Sequence, residues 1–216
     1  LIRHILALDT TSEFGSVALR RADVTLAEIQ LHSPDGFGHI IFQAMEDLLA
    51  KTGMRLEDVD CFASASGPGS FTGVRVGLAA VKGLAEALHK PAAGISNLRA
   101  LSLFGTQALR ATVLDARRGE VFGAVYDAQT RAVLAETVSP WAAWLATVPE
   151  EAEVIGWAGG PCETAGIAFT AAPRFLAAAL AHCAQIDGPA NWHDPVALDA
   201  NYVRRSDAEL FWKEGS

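Results

Sequence analysis

Apolar residues come first in short runs and later at helical spacing, and that change of period divides the chain. His4 to Asp9 (HILALD) is a short apolar run ending on an acid and predicts a strand. A polar turn, Asp9-Thr10-Thr11-Ser12, follows it. Gly15 to Leu19 and Val24 to Gln30 read as two more strands, the latter with alternating side chains. Ser33 to Gly38 (SPDGFG) is a loop. From His39 to Lys51 the spacing becomes helical: Ile41, Phe42, Met45, Leu48 and Leu49 share one face, and Ile40 and Ala44 widen it. Val59 to Ser64 is a strand leading into a glycine-rich turn. The helix after that turn runs to about Leu88. Its core stripe is Val74, Leu78, Val81, Ala85 and Leu88, and its polar side is Arg75, Ala79, Lys82 and Glu86. Gly73, Gly77, Ala80 and Leu84 continue a third side, where small residues let another backbone approach. A helix over Asn97 to Leu109 closes a first lobe, residues 1–110.

Residues 111–216 form a smaller second lobe. Thr112 to Asp115, Val121 to Tyr126 and Val133 to Val138 read as strands, and Ala142 to Ala146 as a short helix. Val154 to Trp157 is a strand running into Gly159-Gly160, and Arg174 to Ile186 is an Ala-rich helix. Gly188 to Pro195 is rich in helix breakers. Beyond it the C-terminal segment has room to pack back on the first lobe, and residues from about Glu209 are expected to fray. No internal sequence repeat and no low-complexity segment is present.

Composition narrows the partners. Half of the 216 residues are hydrophobic, enough for a substantial core. The net charge of −8 argues against gripping a phosphate backbone unaided, because that binding rests on many Lys and Arg contacts. Basic residues cluster only in pairs: Arg20–Arg21, Arg117–Arg118 and Arg204–Arg205. The three cysteines, Cys61, Cys162 and Cys183, lack any zinc spacing and read as buried free thiols of a reducing compartment. The six histidines include no pair four residues apart, so no metal centre is expected. No signal-peptide pattern or bilayer-length apolar run occurs, which predicts a cytoplasmic protein with no membrane contact.

Candidate chemistry centres on Gly67 to Gly77 (GPGSFTGVRVG). Gly67, Pro68 and Gly69 make a stiff turn without bulk, and Ser70 and Thr72 can cap the helix that follows. Such a loop either turns its N–H groups on an anion or feeds a closely packed helix. A Walker loop is absent, since no GK[ST] follows. A GxSxG elbow is absent too, and spacing assigns Ser70 no histidine base. Asp9, Thr10, Thr11 and Asp115 are the candidate ligands for a metal–phosphate group, because both acids end strands. Equally, either acid can pin a turn. Arg117, Gly119 and Glu120 complete the turn after Asp115.

The segments Ile5–Leu19 (ILALDTTSEFGSVAL), Gly67–Gly77, Leu114–Tyr126 (LDARRGEVFGAVY) and Asn201–Arg205 (NYVRR) together resemble the bacterial TsaB (YeaZ) family. That family serves synthesis of threonylcarbamoyladenosine beside the tRNA anticodon. The resemblance implies an α/β, actin/hexokinase-like (ASKHA) two-lobed fold with a reduced second lobe. It also implies a non-catalytic scaffold with no catalytic residues, metal or cofactor of its own, ATP or ADP being expected only at a complex interface. The implied partners are a TsaD-like catalytic subunit and a TsaE-like ATPase, with TsaC supplying threonylcarbamoyl-AMP. Contact with tRNA would be indirect, and a homodimer is expected when the partner is missing. The partner surface is expected on helices His39–Lys51 and Thr72–Leu88, through Ile40, Ala44, Phe71, Gly73 and Gly77, with Arg75 in the same motif. The alternative is a stand-alone ATP-dependent enzyme of sugar-kinase type, with Asp9 and Asp115 holding magnesium. A direct RNA-binding module is disfavoured by charge. One departure from the family stands out: Phe37 occupies a usual histidine position, His39 is displaced, and Gln43 replaces a usual proline.

Overall fold

The computed structural model describes residues 3–203. The Arg204–Arg205 pair, the end of the NYVRR motif and the terminus from Glu209 lie outside the described residues. Strands β1 (His4–Asp9), β2 (Phe14–Arg21) and β3 (Val24–His32) form an antiparallel meander. β4 (Cys61–Gly67) pairs parallel with β1, and β5 (Ala92–Ser96) parallel with β4, so the sheet order is β3-β2-β1-β4-β5. The connections carry α1 (Ile41–Thr52) and α2 (Phe71–Ala87), and α3 (Asn97–Ser102) follows β5.

The second half repeats this plan in smaller form. β6 (Leu109–Arg117), β7 (Glu120–Asp127) and β8 (Ala132–Pro140) make the meander. The short β9 (Glu153–Gly156) and β10 (Thr170–Ala171) are added in parallel, giving the order β10-β9-β6-β7-β8. Its helices are α4 (Trp141–Leu145), α5 (Pro161–Thr164) and α6 (Ala177–Asp187).

Burial on β1 follows from its period of two. Ile5 and Ala7 face one core, shared with α3 and α6. Leu6 and Leu8 face the other, shared with α1 and α2. A strand covered on both sides is continuously apolar, as HILALD is. The halves are interleaved: α6 packs on β1, β2 and β4, whereas α3 packs on β6 and β7. The α6 start is fixed by Ala177 N–H donating to Ser16 Oγ at 3.0 Å, and its end by Arg99, whose fork donates to Asp187 at 2.8 and 2.7 Å. The C-terminal segment reaches the first sheet through the Ala92–His193 bridge and Leu198, which is buried beside Gly94.

Several elements differ from the sequence reading. The helix expected to run to Leu109 stops at Ser102, and Leu109 instead opens β6. A Cβ at Gly105 would sit 2.5 Å from Ile155, so the chain passes too close to β9 for a helical turn with side chains. Strand β5 was missed because AAGIS shows no alternation; it is an inner parallel strand of small residues. Helix α1 is rotated from the expected face, with Ala44 4 % exposed and Phe42 53 % exposed.

Candidate functional site

The ends of the parallel strands β1, β4 and β5 bring together Asp9–Thr11, Gly67–Ser70 and Ser96–Asn97. Open α/β sheets bind ligands at this end. Here one hydrogen-bonded chain links the strand ends. Asp9 Oδ1 accepts from Thr11 N–H at 3.0 Å and from Thr11 Oγ1–H at 2.7 Å. Thr11 Oγ1 in turn accepts from Asn97 Nδ2 at 2.7 Å. The remaining oxygens, Asp9 Oδ2 and Asn97 Oδ1, are buried without partners. Burial pushes the Asp9 carboxyl up to about 6, against the opposing hydrogen bonds from Thr11 and the nearby Asn97 amide, and Glu28 adds a smaller upward push.

The glycine loop closes over this turn. Ser70 N–H donates to Thr11 O at 2.7 Å, and Thr10 Oγ1 donates to Gly73 O at 2.7 Å. Ser70 caps α2 by accepting from Gly73 N–H at 3.3 Å. A Cβ on Gly69 would lie 2.7 Å from Thr11. One on Gly77 would lie 2.7 Å from both Ser64 Oγ and Thr10 Oγ1, and one on Gly73 would overlap Thr10 O. Removing Cβ here makes room for the chain's own backbone. From the far side, Asn201 N–H donates to Ser66 O at 2.8 Å. Asp9, Thr10 and Thr11 are each at most 3 % exposed. The Asp9 carboxylate is thus covered, and the space beside Gly69, Gly73 and Gly77 is taken by Thr10, Thr11 and Ser64.

Asp115 does not join them as a second acid. It is exposed in the β6–β7 hairpin, where its Oδ1 accepts from Arg117 N–H at 2.7 Å and Oδ2 lies 3.5 Å from the Arg117 guanidinium. Arg117, Arg118 and Gly119 adopt positive φ, which makes this a turn pinned by an acid. Glu120 then opens β7 opposite Arg117.

Of the residues expected at a partner surface, Ala44 lies in the core and Gly77 is buried against Thr10, while Gly73 is half-buried with its Cβ side turned to Thr10 O. Ile40 is half-buried against the same core. Phe71 is exposed, with the Arg75 guanidinium 3.2 Å above its ring and Tyr202 alongside. Thr72 is exposed, leaving the cap to Ser70 alone. The outward residues are thus Phe42 and Phe71. The sequence reading puts Phe42 on the same apolar face as Ile41, but one 100° step between neighbours leaves Ile41 buried and Phe42 exposed. Asn97 escaped that reading, its signal being only its place after Ser96 at a strand-to-helix change.

Phe37, the departure noted above, is buried against Gly15, and its carbonyl accepts from Ile40 and Ile41 N–H, which sets the start of α1. His39 is exposed, and Gln43 donates to Asp47 at 3.0 Å, so neither disturbs the core. Among the described residues no three of His, Cys, Asp or Glu gather into a metal-binding group, and no helix is long and apolar enough to cross a membrane.

Two lobes of one topology, a strand-end turn carrying an acid in the first and an acid-pinned hairpin in the second, define the actin-like ASKHA class. The family model described as TsaD, tRNA N6-adenosine threonylcarbamoyltransferase, matches residues 32–178. The TsaB protein of Escherichia coli is 37% identical over 127 residues, covering 57% of this chain and 54% of that protein. Bacillus subtilis TsaB is 35% identical over 138 residues, covering 63% and 59%. The matched part thus spans little more than half the length of these curated relatives. The YeaZ structure from Pseudomonas aeruginosa superposes with a TM-score of 0.77 at 28% identity, covering 93% of this chain and 99% of that one. The chain belongs to the TsaD-related TsaB (YeaZ) family of tRNA threonylcarbamoyladenosine biosynthesis proteins.

Proposed function

We propose that this chain is a non-catalytic scaffold subunit in threonylcarbamoyladenosine modification of tRNA, binding and supporting a TsaD-like catalytic subunit. The observation that carries this reading is the closed strand-end site. Its acid is buried beneath Thr11 and Asn97, and its glycines are packed on Thr10 and Thr11. Residues that would handle phosphate in an actin-like enzyme are spent here on holding three strand ends together. The family supplies the reaction and the further partners: a TsaE-like ATPase, ATP or ADP at the shared interface, and tRNA reached through the complex. Cytoplasmic location and self-pairing in the partner's absence belong to the same reading.

The docking face proposed is the outer side of α1 and α2, centred on Phe42 and Phe71, which are 53 % and 54 % exposed. Large aromatic side chains of this kind anchor interfaces. The test is reconstitution of tRNA modification with purified TsaC-, TsaD- and TsaE-like proteins, ATP, threonine and bicarbonate. The chain is added intact, omitted, or added as Phe42→Glu or Phe71→Glu. Product is expected only with the intact chain, and each variant should fold normally yet lose binding to the TsaD-like protein. Dispensability of the chain, or ATP turnover by the chain alone, would overturn the proposal and favour the kinase-type reading.

A further inference from the structure

A cleft lies away from the strand-end site, near the β3 edge of the first sheet. It measures about 330 Å³, is open to solvent, and is lined by the β2–β3 strands, the chain after α3 and the first turns of α6. Its lining includes Arg20, Thr25, Glu28, Phe104, Phe175 and His182. Arg20 sits in the distal half of β2, several residues from the Asp9 turn, and Asp9 is not part of the lining.

Arg20 is the unusual feature. It is only 6 % exposed, yet among the described residues its hydrogen bonding is one long contact of 3.5 Å to Thr25 Oγ1. Its Nε is buried without a partner. Among the described residues no carboxylate lies within ion-pair distance, and Asp23 acts on it only at longer range. A guanidinium offers five N–H donors and keeps its charge, so burying one with so few acceptors is costly. Its planar fork matches a carboxylate in two-point contact.

The rest of the cavity sets the size and charge of what fits. Phe104 and Phe175 provide apolar wall for a hydrocarbon body. Glu28 is held in place by accepting from Ala178 N–H at 3.1 Å, and its negative charge at the cavity opposes a multiply charged anion. His182 is kept below its ordinary range, first by burial and then by Arg20, so it adds no second positive charge near neutrality.

We propose that this cavity binds a small organic carboxylate, its single negative head on the Arg20 guanidinium and its apolar body against Phe104 and Phe175. This site is independent of the scaffold role, which rests on α1 and α2.

The test uses benzoate as probe, with benzylamine as the cation of similar shape and inorganic phosphate as the head without a body. Binding is read by calorimetry and by the NMR shift of the Arg20 Nε–H resonance. Benzoate is expected to bind at or below about 1 mM and to move that resonance, with benzylamine inert. Arg20→Met should weaken benzoate binding by about tenfold or more. Ala178→Phe, which fills the cavity and leaves Arg20 in place, should do the same. If Arg20→Met does not fold, the Nε–H shift and Ala178→Phe decide the matter. The proposal is overturned if benzoate fails to bind at about 10 mM. Unchanged benzoate affinity in Ala178→Phe, or phosphate binding as tightly as benzoate, overturns it equally.

Discussion

Asparagine in place of Asp9 removes a charge from a buried polar site and leaves its shape almost intact. The Asn side-chain oxygen can still accept both Thr11 hydrogen bonds, and its amide brings a donor to the position where Oδ2 lacks a partner. The rise of the Asp9 carboxyl from 3.8 to about 6 sets the magnitude. Fully ionised, the group costs the fold about 3 kcal/mol relative to its protonated form. The sign follows from proton binding. The folded chain holds the Asp9 proton more tightly than the unfolded chain, so this contribution is complete below 3.8 and is lost as pH rises through about 6. Between pH 5 and pH 7.5 the loss amounts to about 1.4 kcal/mol, because part of it has already occurred by pH 5. Asp9→Asn does not titrate, so its stability relative to the parent should grow by that amount across the interval. Urea unfolding of both proteins at several pH values measures it. Parallel stabilities across the interval would refute the reasoning, since they would mean that Asp9 is solvated or has found a partner for Oδ2.

Other positions give shorter tests. Gly73→Ala places a methyl on Thr10 O, a backbone atom that cannot swing away, and should cost about 2–3 kcal/mol by urea unfolding, whereas Gly83→Ala in open space on the same helix should not destabilise. The Arg174 guanidinium lies 5.0 Å from the Phe14 ring and 5.6 Å from the Trp157 ring and donates to Ala158 O at 2.7 Å, tying β2 to the end of β9. Arg174→Ala should lower stability by about 1–2 kcal/mol and increase solvent quenching of Trp157 fluorescence, read in a variant whose other tryptophans are replaced. Burial pushes the Cys162 thiol up to about 11, that of Cys183 up to about 12, and that of Cys61 higher still. All three should resist a thiol reagent at pH 8 in the folded protein and react at once in denaturant.

The parts of the fold legible in the sequence are those whose burial has a period. The opening meander and the stripe of α2 could be read because each buries one consistent set of positions. Strand β5 could not, because alanines and glycine between inner strands leave no alternation to detect. Phe42 and Ala44 show a finer limit. Both belong to an apolar surface in the sequence, and the helix rotation that buries Ala44 is set by Phe37 and Gly15, outside the helix. The site was legible as a place and less so as chemistry. GPGSFTG and Asp9 do meet, yet whether glycines admit a ligand or a neighbouring backbone depends on distances such as that from Gly77 to Thr10, which spacing does not contain.

That distinction bears on how the two lobes are joined. In an open actin-like cleft the strand-end turn must keep room for phosphate, and its acid must stay solvated enough to ionise freely. Here the same residues form contacts that cross the sheet: Thr11 joins Asp9 to Asn97, and Thr10 joins β1 to α2. The lobes are fastened to each other by the Arg99 fork on Asp187 and by Asn201, which donates to Glu136 Oε2 on β8 while its backbone binds Ser66 at the end of β4. The Arg99–Asp187 contact is two-pointed and partly buried, so rotation would break both of its charged hydrogen bonds at once. Strand ends tied within the first sheet, and lobes tied to each other by Arg99 and Asn201, suit the rigid α1 and α2 surface of the proposed scaffold better than a cleft that opens and shuts with each turnover.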